Sequence, residues 1–173
     1  MASPLYVAQN GTYEEFLEDY DPETNDVTEM LCAGLINRDP EAREKISNEM
    51  LDRGADATAV DYGQNTLTLL LSHDDLGDGD PALVQRLVEA GADVNFRESH
   101  GDTPIKLAVK IGAESDEQRR PIYEALFSKD VDLDEPSSVR NPKNKIGEWL
   151  RMCVDHQPEG LKVLDEFLTA RGF

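Results

Sequence analysis

The chain predicts an all-α fold: a solenoid of about four helix pairs with an N-terminal capping helix. Three observations predict it. Leu83, Val84, Leu87 and Val88 fall at i, i+1, i+4 and i+5, one apolar stripe on a short helix. Gly54 and Gly91 each stand just past such a stretch, where a left-handed residue ending a helix is cheapest as glycine. Pro40, Pro81, Pro121 and Pro158, which are 41, 40 and 37 residues apart, mark the starts of successive second helices.

The elements follow in order. Residues 1–26 begin as a loose polar start, then TYEEFLEDY (12–20) gives a short capping helix edged by Phe16, Leu17 and Tyr20. Its acids lie in the first turn, where the helix dipole favours them, and 21–26 is a linker. A helix over 27–37 turns Met30, Leu31, Leu35 and Ile36 inward. Asp39-Pro40 opens its partner, which runs through Ala42, Ile46, Met50 and Leu51 to the stop at Gly54. The turn AVDYGQ (59–64) leads to an inner helix through Leu67, Leu69, Leu70 and Leu71, and 73–81 is a long loop. Asp80-Pro81 supplies an N-cap and a first-position proline to the helix that Gly91 ends. Thr103-Pro104 repeats that signal and opens a helix through Ile105, Leu107, Ala108 and Val109. The stretch 112–120 reads either as an interhelical connection or as an early helix start at Ser115 and Gln118, with Pro121 then inside the helix. Ile122, Leu126 and Phe127 belong to that outer helix. Residues 135–145, with two prolines, form a loop. The final pair sets Trp149, Leu150 and Cys153 against Val163, Leu164, Phe167 and Leu168.

The stretches LVQRLVEAGADVN (83–95) and GDTPIKLAV (101–109) resemble the ankyrin repeat family's "LLxxGADVN" and "GxTPLHxA". Ala55-Asp56-Ala57-Thr58 and Asp130-Val131-Asp132-Leu133-Asp134 are imperfect copies of the first motif on either side. The resemblance implies an N-terminal segment over 1–26 and an ankyrin-repeat domain over 27–173, divided into repeats at 27–58, 59–95 and 96–134 and a C-terminal capping pair at 135–173. Gly54 and Gly91 lie 37 residues apart against the family's ~33, and the excess fits an insertion in 73–81. Lys106 departs from the pattern: the family usually has histidine there, so the hydrogen bonding that histidine gives the turn must be replaced or lost.

Charge is the other informative quantity. Thirty-six acids against seventeen bases give a net charge of −19, and residues 1–136 hold 31 of the acids but 11 of the bases. No Lys or Arg occurs before Arg38. Such a field repels nucleic-acid phosphates and anionic membranes, and it attracts a basic protein. With 39% hydrophobic residues, no apolar run approaches the ~18 needed to span a membrane. The first residues lack the basic and apolar regions of a signal peptide, and Cys32 and Cys153 read as free thiols, so a cytoplasmic protein is expected.

Catalysis finds little support. His73, His100 and His156 lie on loops or helix ends without a nucleophile or ligand at useful spacing. HDDLGDGD (73–80) lacks the order and the glutamate of a calcium loop, and a solvated loop is expected. No cofactor or metal is implied. In ankyrin arrays, partners usually bind the turn tips and the exposed face of the inner helices. The resemblance therefore places partner binding at Asp61, Tyr62 and Gln64 in one turn, and at Arg97, His100 and Asp102 in the next; Tyr and Arg are types enriched at interaction hot spots. The expected function is a non-catalytic protein-protein interaction module that binds and inhibits a basic protein, as an immunity protein neutralises a bacterial toxin. The alternative is an ankyrin adaptor or assembly subunit whose acidity serves only solubility.

Overall fold

The computed structural model describes residues 2–140 and 142–173. The described residues are mostly helical, with ten helices and one short antiparallel ribbon. The N-terminus holds one helix more than expected. Residues 4–10, expected to be a loose start, form α1 (Pro4–Asn10), opened by Ser3, whose Oγ accepts the Tyr6 amide at 3.2 Å. Val7 and Ala8 are buried beneath it. Helix α2 (Tyr13–Asp19) starts with a reciprocal cap: Thr12 Oγ1 accepts the Glu15 amide at 3.2 Å, and the Thr12 amide donates to Glu15 Oε2 at 2.8 Å.

Helix α3 (Val27–Leu35) buries Met30, Leu31 and Leu35, but Ile36 falls beyond its last turn and is 38% exposed rather than inward-facing. Helix α4 (Pro40–Asp52) ends as the glycine predicts. Gly54 has φ +94°, and the Ala55 amide reaches back to the Met50 carbonyl at 3.0 Å. The ribbon β1 (Val60–Asp61) and β2 (Gln64–Asn65) turns through Tyr62 and Gly63, at φ +50° and +75°, as a two-residue hairpin with both central residues left-handed. Helix α5 (Thr66–Leu71) is capped by Asn65, whose Oδ1 accepts the Thr68 amide at 3.0 Å.

Helix α6 (Asp80–Glu89) corrects a second expectation. Its N-cap is Gly79, and Asp80 makes no cap: its buried carboxylate takes Arg43 instead, Nε to Oδ1 at 2.9 Å and Nη2 to Oδ2 at 2.6 Å. The helix ends at Gly91, φ +102°, with the Ala92 amide 3.0 Å from the Leu87 carbonyl. Helix α7 (Pro104–Lys110) starts after Thr103, which occupies the cap position but caps nothing; its buried hydroxyl lacks a hydrogen-bond partner among the described residues. Helix α8 (Asp116–Phe127) takes the early start at Ser115, so Pro121 lies inside the helix and not at its beginning. Helices α9 (Ile146–His156) and α10 (Lys162–Ala170) close the described chain, and Pro158 sits in the turn before α10 rather than at its start. Of the four prolines, Pro40 and Pro81 alone open helices.

Consecutive helices pair, α1 with α2 through α9 with α10, and the pairs stack. Helices α1, α3, α5 and α7 pack side by side in an inner row; α2, α4, α6, α8 and α10 form an outer row. The core runs along the stack from Phe16 through Leu31, Leu70 and Leu87 to Leu164. One short turn recurs after α4, α6 and α8. Asp56 Oδ1 accepts the Thr58 amide, Asp93 Oδ1 the Asn95 amide and Asp132 Oδ1 the Asp134 amide, each at 2.9 Å. Asp130, at φ +55°, takes the left-handed position that glycine fills in the other two. No helix of the described residues is long and apolar enough to cross a membrane.

Candidate protein-binding surface

The turns between pairs lie beside one another. The Ser99 amide donates to the Gly63 carbonyl at 3.1 Å, and Arg97 Nη2 donates to the Pro136 carbonyl at 2.6 Å. The segment 135–145, expected to be a plain loop, carries an antiparallel bridge from Pro136 to Lys145 and so extends this row of fingers. Lys106, at the position where the ankyrin pattern usually has histidine, ties its turn to the next one. It is buried, its ammonium donates to the Ser137 carbonyl, lies 3.2 Å from Asp102 Oδ1 and sits 4.9 Å from the centre of the Trp149 ring.

Four of the six expected contact residues line two hollows, and Gln64 and Arg97 line neither. Asp61 and Tyr62 border the first, on the ribbon side. Tyr62 is 94% exposed and holds a left-handed backbone that a bulky residue rarely adopts. Gln64, next along the ribbon, points its Oε1 at Ser72 Oγ, 3.3 Å away. His100 and Asp102 border a second hollow of about 290 Å³ with Glu98 and Lys110. There the side chains are already engaged. Buried Glu98 accepts the Asp102 amide at 2.8 Å and His100 Nδ1 at 2.9 Å, and Arg97 Nη1 donates to the Gly101 carbonyl at 2.8 Å. Asp102 holds Lys110 at 2.8 Å as well as Lys106. Burial pushes the Asp102 carboxyl up, but the hydrogen bonds from Lys110 and Lys106 outweigh it and hold the group below its ordinary range.

The first hollow is chemically different. It is a groove of about 380 Å³ between the ribbon and the inner helices α1, α3 and α5. Its lining includes Leu5, Cys32, Ala33, Ile36, Val60 and Leu69, with Asp26, Glu29 and Asp61 among them. None of these three acids belongs to an ion pair among the described residues. The Cys32 thiol registers the field they make. Burial first, then Asp61, Asp26, Asp56 and Glu29, push it up to about 11, so it stays a neutral thiol at the groove floor.

Sequence reasoning placed Asp61 and Tyr62 at this surface but missed the groove. Leu5 arrives on α1, whose Ser3-Pro4 start carries the same cap-then-proline signal as Thr103-Pro104. Ile36 joins because α3 ends at Leu35, two residues short of the expected 37, and no local pattern marks that.

No protein-family profile and no curated protein matches the chain. Solved structures do. The structure is similar to that of a functionally unknown protein from Leptotrichia buccalis C-1013-b, with a TM-score of 0.77 at 22% sequence identity, over 99% of this chain and 95% of that one. It is also similar to the ankyrin repeat domain of Bcl-3, a member of the IkappaB protein family, with a TM-score of 0.56 at 19% identity, over 95% of this chain and 72% of that one. At such identities the likeness is one of fold: the stacked helix pairs are ankyrin-like.

Proposed function

We propose that this chain is a non-catalytic protein-binding module, an ankyrin-like solenoid that binds and inhibits a basic protein in the cytoplasm. In this reading 1–26 is the N-terminal pair, and 27–58, 59–95, 96–134 and 135–173 are successive units. The observation that carries it is the uncompensated acid beside the exposed ribbon. Asp26, Glu29 and Asp61 surround Cys32 without a paired cation among the described residues, and Tyr62 projects next to them. A cationic surface arriving there gains attraction at a distance, while an aromatic at the ribbon tip gives it something apolar to close on. Neutralisation of a cationic toxin by an immunity protein is the form of inhibition such a surface suits.

The test is the association rate. The bound protein is recovered from the native host, its charge is determined, and association is followed from about 0.01 M to about 1 M salt, over which the screening length falls from ~30 Å to ~3 Å. A basic partner whose rate drops steeply supports the reading. A partner that is acidic, or a rate indifferent to salt, refutes it and favours an adaptor whose acidity serves solubility. Asp61→Lys with Glu29→Lys is the charge probe to use. Asp102→Lys is unsuited, because it would set a third lysine against Lys106 and Lys110.

A further inference from the structure

The groove beside the ribbon has a floor unlike its rim. Cys32 and Ala33 of α3 and Leu69 of α5 lie buried at the bottom, and Ile36 and Val60, 38% and 57% exposed, stand on its walls. The rim carries Asp26 and Glu29 from the start of α3 and Asp61 from the ribbon. Its volume of about 380 Å³ falls within the ~300–1,000 Å³ of ordinary ligand clefts, room for more than one side chain. The site is thus apolar below and anionic at its edge.

We infer that this groove seats a segment of the protein partner in which one or two aliphatic or aromatic side chains are flanked by arginine or lysine. The inference rests on the protein-binding reading above and specifies what part of the partner is held. The apolar floor offers a purely cationic segment nothing to fill, and the carboxylates repel an acidic or phosphorylated one. A cation beside Glu29 or Asp61 meets a carboxylate that has no ion-pair partner among the described residues. Burial and the surrounding carboxylates keep Cys32 neutral, so the thiol serves as one more apolar contact on the floor. A second copy of the chain is a poor occupant, since each brings the same net charge of −19. The groove also crosses α1, so it needs the N-terminal pair as well as the ankyrin-like units.

The test selects phage-displayed random peptides on the intact protein, then measures the enriched peptides against two variants. Ile36→Ser with Val60→Ser removes apolar wall at exposed positions, and Glu29→Lys with Asp61→Lys reverses the rim; circular dichroism checks that each stays folded. The expected result is enrichment of peptides pairing an aliphatic or aromatic residue with neighbouring Arg or Lys, and a loss of affinity of about tenfold or more in each variant. Cationic peptides without an apolar residue, insensitive to Ile36→Ser with Val60→Ser, would overturn the inference while leaving a basic partner in place. Enrichment of acidic peptides, of none, or of peptides insensitive to both variants would overturn it too, and the salt dependence of the native complex would then decide the broader reading separately.

Discussion

Asp80→Ala should destabilise the protein by about 3–5 kcal/mol, the cost of leaving a buried charge without its partner. The magnitude follows from the surroundings. The Arg43 and Asp80 side chains are 2% and 0% exposed, and they meet through two parallel hydrogen bonds at 2.9 and 2.6 Å. The third arm of the guanidinium donates from Nη1 to the Asn37 carbonyl at 2.8 Å, and the Gly77 amide donates to Asp80 Oδ2 at 2.8 Å. Alanine therefore strands a dry guanidinium and a backbone amide together. The double variant Arg43→Met with Asp80→Ala removes the charge as well as its partner. It leaves only the Gly77 amide and the Asn37 carbonyl unpaired, each costing about 1–3 kcal/mol. It should be no less stable than Asp80→Ala alone, a favourable coupling visible only in the cycle. The assay is urea denaturation followed by circular dichroism; urea leaves the ionic strength untouched. A loss below about 1 kcal/mol for Asp80→Ala, or strictly additive costs in the double variant, would refute the assignment of a buried ion pair that pins α4 to α6.

The remaining predictions are local. Gly91→Val should cost more than about 1 kcal/mol in thermal unfolding, with torsional strain as its cause: φ is +102°, and the added Cβ itself would meet no atom closer than Thr58 Cγ2 at 3.5 Å. Tyr123→Phe should cost about 1.5–3 kcal/mol in urea, because the buried hydroxyl donates to Asp116 Oδ1 at 2.7 Å and that carboxylate also accepts the Val163 and Leu164 amides that open α10. Asp102, whose carboxyl the two lysines hold below its ordinary 3.8, contributes stability that is whole above that value and is lost as pH falls through the lower folded one. Urea midpoints from about pH 5 down to about pH 2 should therefore fall less steeply in Asp102→Asn than in the wild type.

What the sequence disclosed and what it hid follow from the range of the interactions. Gly54 and Gly91 were legible because a left-handed residue after a helix is a local demand, and their φ values of +94° and +102° meet it. The Asp56, Asp93 and Asp132 turns were legible as an echoing motif for the same reason. Pro121 left two readings open, because proline opens helices but also tolerates a helix interior when packing holds it. Helix α8 lies against both α6 and α10, which offsets the bond lost to the Glu117 carbonyl. Asp80 read as a cap because Asp before Pro usually is one. Its true partner lies 37 residues away, and no spacing rule reaches that far. The same holds for Lys106, whose partners Ser137 and Trp149 belong to the next unit. Tyr62 and Asp61 could be placed at a turn tip, but the groove behind them assembles from residues between Leu5 and Leu69, on four elements with no common period.

The distribution of ion pairs bears most directly on what the acidity is for. Toward the C-terminus, several acids find cations within the chain: Asp102 with Lys106 and Lys110, Asp134 with Lys145, Glu117 and Glu166 with Arg120, Asp165 with Arg151. Toward the N-terminus they do not, and no ion pair among the described residues uses an acid before Glu41. The asymmetry begins in the sequence, since no base precedes Arg38 to serve Glu14, Glu18, Asp26 or Glu29. Packing then keeps it, because Arg43, the cation nearest in sequence with a buried side chain, is spent on Asp80. Solubility depends on how much charge a surface carries and is indifferent to which end carries it. Steering depends on where the charge lies relative to the contact, and here three of the unpaired carboxylates, Asp26, Glu29 and Asp61, line the groove. The placement of the acids, more than their number, is what the proposal of a cationic partner rests on.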